Sequence, residues 1–201
     1  MSITIKLATE EDVQAIGAIF NHYIEHSTCT FQVTVQTPEH YLGWFRQRSD
    51  LHPLTVADEN NVVLGWGSLS PWRPKEAYRH SVEGSVYVHP DHHRRGIGRA
   101  LLSDLINRAR HLGHRTLIGG ACTEHGGSLA LQEALGFEHV GTLRSVGHKF
   151  DRWLDVAHTQ LMLCIPTRIV EFPIVAPGPL FPPPLATTRS TSIHIQTNGS
   201  T

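Results

Sequence analysis

Residues 85–111, SVYVHPDHHRRGIGRALLSDLINRARH, constrain the fold more than any other stretch of this chain. The run SVYV reads as a strand, and Pro90 stops it because proline cannot donate to a ladder. Ile97, Leu101, Leu102, Leu105 and Ile106 then fall on one face of a helix running to about residue 111. Between strand and helix lies the turn Arg94-Arg95-Gly96-Ile97-Gly98-Arg99. A strand end, a glycine turn and a helix start bring free backbone N–H groups and the positive end of a helix dipole to one point, the makings of a phosphate cradle. The chain as a whole carries a net charge of −1 with a pI near 6.9. Its positive site is therefore local, and no broad field suited to nucleic acid is expected.

Two familiar phosphate motifs fail here. A dinucleotide fingerprint needs a third glycine where Leu101 stands, and an acid near Ile118 that is absent. A P-loop needs longer spacing and a Gly-Lys-Ser/Thr end. What remains is a shorter cradle following an apolar strand.

The flanking segments predict one mixed α/β sheet. ITIKLA (3–8) alternates as a strand, and Thr9 caps a helix patterned by Val13, Ile16, Ile19 and Phe20. HYLGWFRQR (40–48), entered through Thr37 and Pro38, reads as a second helix. LTVAD (54–58) and VVLGWGSLSPW (62–72) flank a turn at Glu59 to Asn61 and read as a hairpin, so the sheet begins antiparallel. Strands are expected over 81–90, 115–122, 138–146 and 153–164, with a short helix at 128–137 ended by Gly136.

At 201 residues the chain is long enough for one sizeable core. We expect a domain over 1–166 and an unstructured, proline-rich extension over 167–201, where PIVAPGPLFPPPLATTRSTS has little to bury. Three cysteines without CxxC spacing and the absence of a leading apolar segment point to a cytoplasmic protein with reduced thiols. No run of about 18 apolar residues predicts a membrane span. Fifteen histidines raise the question of metal. None lies in an HExxH pattern or at zinc spacing from cysteine, so no metal is expected.

RRGIGRALL after VYVHP resembles motif A of the GNAT superfamily of acetyl-CoA-dependent N-acetyltransferases. More narrowly, NHYIEHSTCTF (21–31), SPWRPKEAYRHSVEGSVYV (70–88), SLALQEALGF (128–137) and GHKFDRWLDVAHTQL (147–161) look like phosphinothricin and methionine sulfoximine acetyltransferases, in register over about 3–165. The resemblance implies the GNAT fold: an α/β (α+β) architecture with a single mixed, mostly antiparallel sheet flanked by helices and acetyl-CoA at splayed strands.

It also implies a site. Arg94, Arg95, Gly96, Ile97, Gly98 and Arg99 would hold the pyrophosphate of acetyl-CoA. Val86, Tyr87 and Val88 would supply backbone bonds to the pantetheine arm, with His125 and Ser128 facing it. Glu83 would be the general base, acting on the acceptor ammonium directly or through water; the bland alternative is a strand carboxylate paired with Arg79. Trp72, Arg73, Lys75 and Tyr78 would form one wall for an amino-acid acceptor, with Phe31 facing them and Lys149 arriving from GHKF.

Three departures from the family stand out: His93 at the first position of motif A, His125 where relatives carry Asn or Gln, and Gln132 where phosphinothricin acetyltransferases carry a histidine. Glutamine cannot exchange a proton near neutral pH, and no tyrosine in 128–137 offers itself to the leaving thiolate. The expected activity is acetyl transfer to a small amino acid or glutamate analogue, without nucleic acid or membrane and compatible with a homodimer. A protein N-terminal or lysine acetyltransferase and a non-catalytic acyl-CoA sensor are the rival readings.

Overall fold

The computed structural model describes residues 3–163. The expected boundary at 166/167, the proline-rich segment and Cys164 lie outside the described residues. Within them, one seven-stranded sheet runs in the order β1-β2-β3-β4-β5-β7-β6. The strands are β1 (Thr4–Leu7), β2 (Leu54–Glu59), β3 (Val62–Pro71), β4 (Ser81–Val88), β5 (Thr116–Cys122), β6 (Glu138–Lys149) and β7 (Arg152–Met162). The helices are α1 (Val13–His26), α2 (Pro38–Arg46), α3 (Ile97–His111) and α4 (Gly126–Glu133).

Turn chemistry sets the hairpins. Asn60 and Asn61 take φ values of 56° and 64°, the left-handed conformation that asparagine tolerates, and close β2 onto β3. Phe150 and Asp151 do the same at 52° and 55°. GHKF is therefore the end of a long strand and its turn, and β6 runs to Lys149 instead of stopping near 146. The last helix starts at Gly126 and is over by Glu133, earlier than the apolar pattern suggests.

Strand alternation divides the core. Val82 and Val86 of β4 point toward α3, where Leu101 and Leu105 are fully buried; each such side chain contributes about 1.5–3 kcal/mol. Tyr87 points to the opposite face and packs with Trp66, Ile16 and Phe20 under α1. Glu83 and Ser85 share that second face by the same alternation.

All pairings are antiparallel except β4 with β5, which lasts for only Ser81–Thr116, Val82–Leu117 and Glu83–Ile118. Beyond it the two strands part. β5 stays paired with β7 from Thr116 to Cys122, and β4 stays with β3 through Val88.

The loop between α1 and α2 is tied to the far hairpin by one cation. Lys149 is 4% exposed, and its Nζ donates to Ser27 O at 2.7 Å, Thr30 O at 2.8 Å and Tyr23 O at 3.4 Å. Burial pushes its pKa down. The expectation that Lys149 binds substrate is corrected here, because its ammonium is saturated by backbone carbonyls. Lys149→Met should cost about 2–3 kcal/mol through the abandoned carbonyls. At roughly 2–4 °C per kcal/mol for a domain of this size, the melting temperature should fall by about 4–12 °C. An unchanged melting temperature with a raised KM for the acceptor would restore the substrate role.

Candidate active site

The parting of β4 and β5 determines which backbone groups are free. Trp72 N–H donates to Ser81 O and His89 N–H to Leu64 O, at the two ends of an unbroken β3–β4 register. Odd-numbered β4 residues therefore direct their N–H and C=O groups to β3, and even-numbered ones direct theirs toward β5. Val86 and Val88 are even and lie beyond the last β4–β5 pair, so their amides face the gap. Tyr87 is odd. Its backbone belongs to the ladder with β3, which corrects the expectation that it bonds the pantetheine arm.

The carbonyl of Val88 has a partner in the gap: the Tyr23 hydroxyl donates to it, and His93 Nε2 lies 3.2 Å from it and 2.7 Å from Tyr23 Oη. Half-buried, the Tyr23 phenol is pushed up to about 12 and stays protonated. His93, an unexpected residue in the motif, thus joins the cradle to α1.

Gly96 is the N-cap of α3 at φ 78°, with no side-chain cap over the helix N-terminus and nothing within 4 Å of where a Cβ would stand. The N–H groups of the first turn are thereby left for an outside acceptor. The arginines divide. Arg95 Nη2 donates to both carboxylate oxygens of Glu59 at 2.9 and 3.0 Å and is committed to the protein, whereas Arg94 and Arg99 stand exposed beside the turn with no ion pair among the described residues. These residues fit an anionic phosphate ligand.

Two cavities lie on either side of Tyr87. The smaller, about 80 Å³, fills the gap between the parted strands and is bordered by Val86, Gly120, His125, Ser128, Gln132 and Cys29. The larger, about 300 Å³, lies under α1 and α2 and is lined by Phe20, Tyr41, Trp44, Trp66, Ser70 and Tyr87, among others. Tyr87 borders both. His125 Nε2 is 3.0 Å from Thr28 Oγ1, so it braces the α1–α2 loop against the gap. Gln132 is buried, and its Oε1 accepts from Thr159 Oγ1.

Glu83 stands where the strands separate, opposite Ser70 on β3 and Ile118 on β5. Burial raises its pKa; Arg73 and the imidazolium form of His158, not Arg79, oppose that rise. Arg73 stacks over Trp72 at 4.7 Å, and Trp72 meets His158 edge-on at 5.8 Å. Arg73, Lys75 and Tyr78 are exposed and, with Trp72, line neither cavity. Phe31 is 37% exposed and also lines neither; a Cβ on Gly147 would come within 2.1 Å of its ring, so it lies flat on the backbone of β6. His158, Tyr23 and Arg48 are site residues that sequence reasoning missed. Arg48 lines the larger cavity, and burial lowers its pKa to about 10.

Among the described residues no group of three or more His, Cys, Asp or Glu could hold a metal ion. No helix among them is long and apolar enough to cross a membrane.

The division of the arginines is testable by titration calorimetry with acetyl-CoA. Arg94→Ala and Arg99→Ala should weaken binding, more at low salt than at high salt. Arg95→Ala should change affinity by less than about threefold, because its charge is already paired. Gly96→Ala imposes about 1–2 kcal/mol of left-handed strain, which becomes a roughly five- to thirtyfold loss of affinity when the free turn relaxes and binding has to restore its shape. Equal losses from all three arginines would contradict the assignment.

The chain matches the Acetyltransferase (GNAT) family over residues 19–137. It is 38% identical to the L-methionine sulfoximine/L-methionine sulfone acetyltransferase of Salmonella typhimurium, covering 80% of this chain and 95% of that protein. A phosphinothricin acetyltransferase of Sinorhizobium meliloti, solved with acetyl-CoA, superposes with a TM-score of 0.78 at 35% identity, over 81% of this chain and 89% of that one. A ribosomal-protein-alanine N-acetyltransferase of Brucella melitensis superposes with a TM-score of 0.78 at 40% identity, over 80% and 99%. With its splayed mixed sheet, open α3 N-terminus and these likenesses, the chain belongs to the GNAT family of N-acetyltransferases, enzymes that use acetyl-CoA.

Proposed function

We propose that this enzyme transfers acetyl directly from acetyl-CoA to the α-amine of a small amino acid or glutamate analogue of the methionine sulfoximine or phosphinothricin type, in the cytoplasm, with Glu83 as general base. The observation that carries this reading is the position of Glu83, a half-buried carboxylate at the fork of β4 and β5. The smaller cavity lies on the donor side and the larger one on the acceptor side. On acylation the amine must lose a proton before it attacks, and a carboxylate with a raised pKa is a better proton acceptor than an ordinary one.

The chain's own residues have separable tasks. The α3 N-terminus with Arg94 and Arg99 holds phosphate, and the Val86 and Val88 amides orient the pantetheine arm. One of these amides donates to the thioester oxygen as charge develops there. Ser128 and His125 border the arm. Trp72, Arg73, Lys75 and Tyr78 lie in the segment between β3 and β4 outside both cavities, and Arg73, whose charge reaches Glu83, would meet the acceptor carboxylate. Direct transfer is favoured over a cysteine-bound acetyl group because burial pushes the Cys29 thiol up, holding it in the poorly nucleophilic form.

Acetylation of a protein N-terminal alanine is the second reading, favoured by the likeness to the Brucella protein. The larger cavity, about 300 Å³ and lined by aromatic side chains, is sized for a free amino acid more than for a chain end.

Two measurements test this. Thiol release with a panel of amines should show phosphinothricin or methionine sulfoximine turned over well above an alanine-led peptide. Glu83→Gln should lower kcat by roughly 10²- to 10⁴-fold with acetyl-CoA affinity nearly intact. In the parent, activity should fall as pH drops through a midpoint above the usual carboxylate range, because Glu83 must be ionised to act. Faster turnover of the peptide, or an unimpaired Glu83→Gln, overturns the reading.

We also propose a homodimer through the outer edge of the sheet. β6 is the last strand, and Val140, Leu143, Val146 and Trp153 there are 50–67% exposed. Sedimentation velocity should give twice the chain mass, and Trp153→Glu should shift it toward the monomer; a monomeric parent contradicts this assembly.

A further inference from the structure

Amide formation makes an N–C bond, breaks a C–S bond and strips two protons from the acceptor ammonium. The departing thiolate takes up one, and the other leaves as net acid. A buried base that accepts a proton must therefore be emptied in every turnover. Glu83 lies at the closed end of the fork, where burial already favours its protonated form. Something has to carry that proton out.

His158 is placed for this. It sits on β7 directly opposite Gly120 of β5. A Cβ on Gly120 would lie 3.6 Å from His158 Nδ1 and 3.8 Å from Glu83 Oε1. The two groups thus face one small space that exists because residue 120 has no side chain. His158 Nδ1 is buried and has no hydrogen-bond partner among the described residues. Such an atom is rare in a folded protein and asks for a reason. The residue as a whole is only half-buried, and its ring meets Trp72 edge-on. The imidazole therefore joins a buried Nδ1 beside the Glu83 carboxylate to a part of the ring that solvent reaches.

We propose that His158 is the proton outlet of Glu83. In its neutral form, with hydrogen on Nε2, the bare Nδ1 accepts the proton from the Glu83 carboxyl, directly or across one water in the Gly120 gap. The imidazolium then releases its Nε2 proton to solvent, and ring-nitrogen exchange restores the starting tautomer. Gln132, although it borders the same cavity, cannot do this, because an amide does not titrate near neutrality. His158 acts on the reaction through Glu83 and is a positioning and relay residue. The charged and titratable groups around the pair are Arg73 from the β3–β4 loop, which opposes the rise of Glu83, and the phenol of Tyr87 on β4, which burial raises first, then Cys29 and, less, the Glu83 carboxylate. Cys29 on the α1–α2 loop and Lys149 at the end of β6 act on each other.

This inference rests on Glu83 being the base, and the test separates the two claims. His158→Phe keeps a ring against Trp72 and removes the titratable nitrogens. His158→Gln keeps polarity without titration, and serves if the phenylalanine variant melts early. Steady-state kinetics with acetyl-CoA and phosphinothricin or methionine sulfoximine, whichever the parent turns over faster, are recorded from acid to alkaline pH for both variants, for Glu83→Gln, and for the double variants. Each His158 variant should lower kcat by about tenfold or more, less than loss of the base itself. Acceptor KM and acetyl-CoA affinity should change by less than about twofold. Neither change should add to Glu83→Gln, as two members of one relay do not add. Free imidazole should restore part of the rate to His158→Ala. Parent-like kcat and pH profiles in both His158 variants, beside a crippled Glu83→Gln, would overturn the relay and leave the base standing. Full additivity with Glu83→Gln would also overturn it. A parent-like Glu83→Gln would remove the base itself.

Discussion

The site depends on a ladder that stops early. Among the described residues β4 and β5 are the only parallel neighbours in the sheet, and they hold together for three pairs, parting after Glu83 and Ile118. Had the pairing continued, the amides of Val86 and Val88 would be consumed by β5, the smaller cavity would be closed, and no carboxylate would stand at a fork. Glycines maintain the opening on the β5 side. At Gly119 a Cβ would collide with Gln132 Oε1 at 2.5 Å and Thr159 Oγ1 at 2.6 Å, so glycine lets α4 and β7 lock over the strand. At Gly120 the same absence leaves the space between Glu83 and His158.

Elements far apart in sequence keep the fork in shape. Lys149 holds the α1–α2 loop from the end of β6, His125 braces the same loop from the start of α4, and Tyr23 clasps the end of β4 from α1. Of these, Lys149 satisfies the carbonyls of Ser27 and Thr30, and a buried carbonyl left without its hydrogen bond costs about 1–3 kcal/mol. The larger cavity is shaped by the same α1–α2 loop that borders the smaller one. Tyr87, shared by both walls, gives the two compartments one partition.

Much of this was legible in the residues. The helix of α3, the strand before it and the turn between them follow from Pro90, the glycines and the spacing of Leu101, Leu102 and Leu105, all local signals. The resemblance singled out Glu83 and the Val86–Val88 strand; the structure sets Glu83 at the last β4–β5 pair and the amides of Val86 and Val88 on the gap beyond it. What escaped depends on register and long-range approach. Tyr87 differs from its neighbours only by strand parity, which no composition reveals. Lys149 looks like a free cation in GHKF until the turn at Phe150 and Asp151 swings it beneath the α1–α2 loop. His158, 75 residues beyond Glu83 in the numbering, becomes its neighbour only through the pairing of β7 with β5. Arg95 reads as a phosphate ligand beside Arg94, yet the β2–β3 hairpin carries Glu59 to it.

The most direct test of this account is site-resolved amide hydrogen exchange on β4, with and without acetyl-CoA. The amides of Val86 and Val88 should exchange rapidly in the free enzyme and slow markedly on binding. Those of Ser85 and Tyr87, already in the β3 ladder, should be protected in both states. Protection of Val86 and Val88 in the free enzyme, or a ligand effect confined to Ser85 and Tyr87, would contradict a donor site built on the parting of β4 and β5.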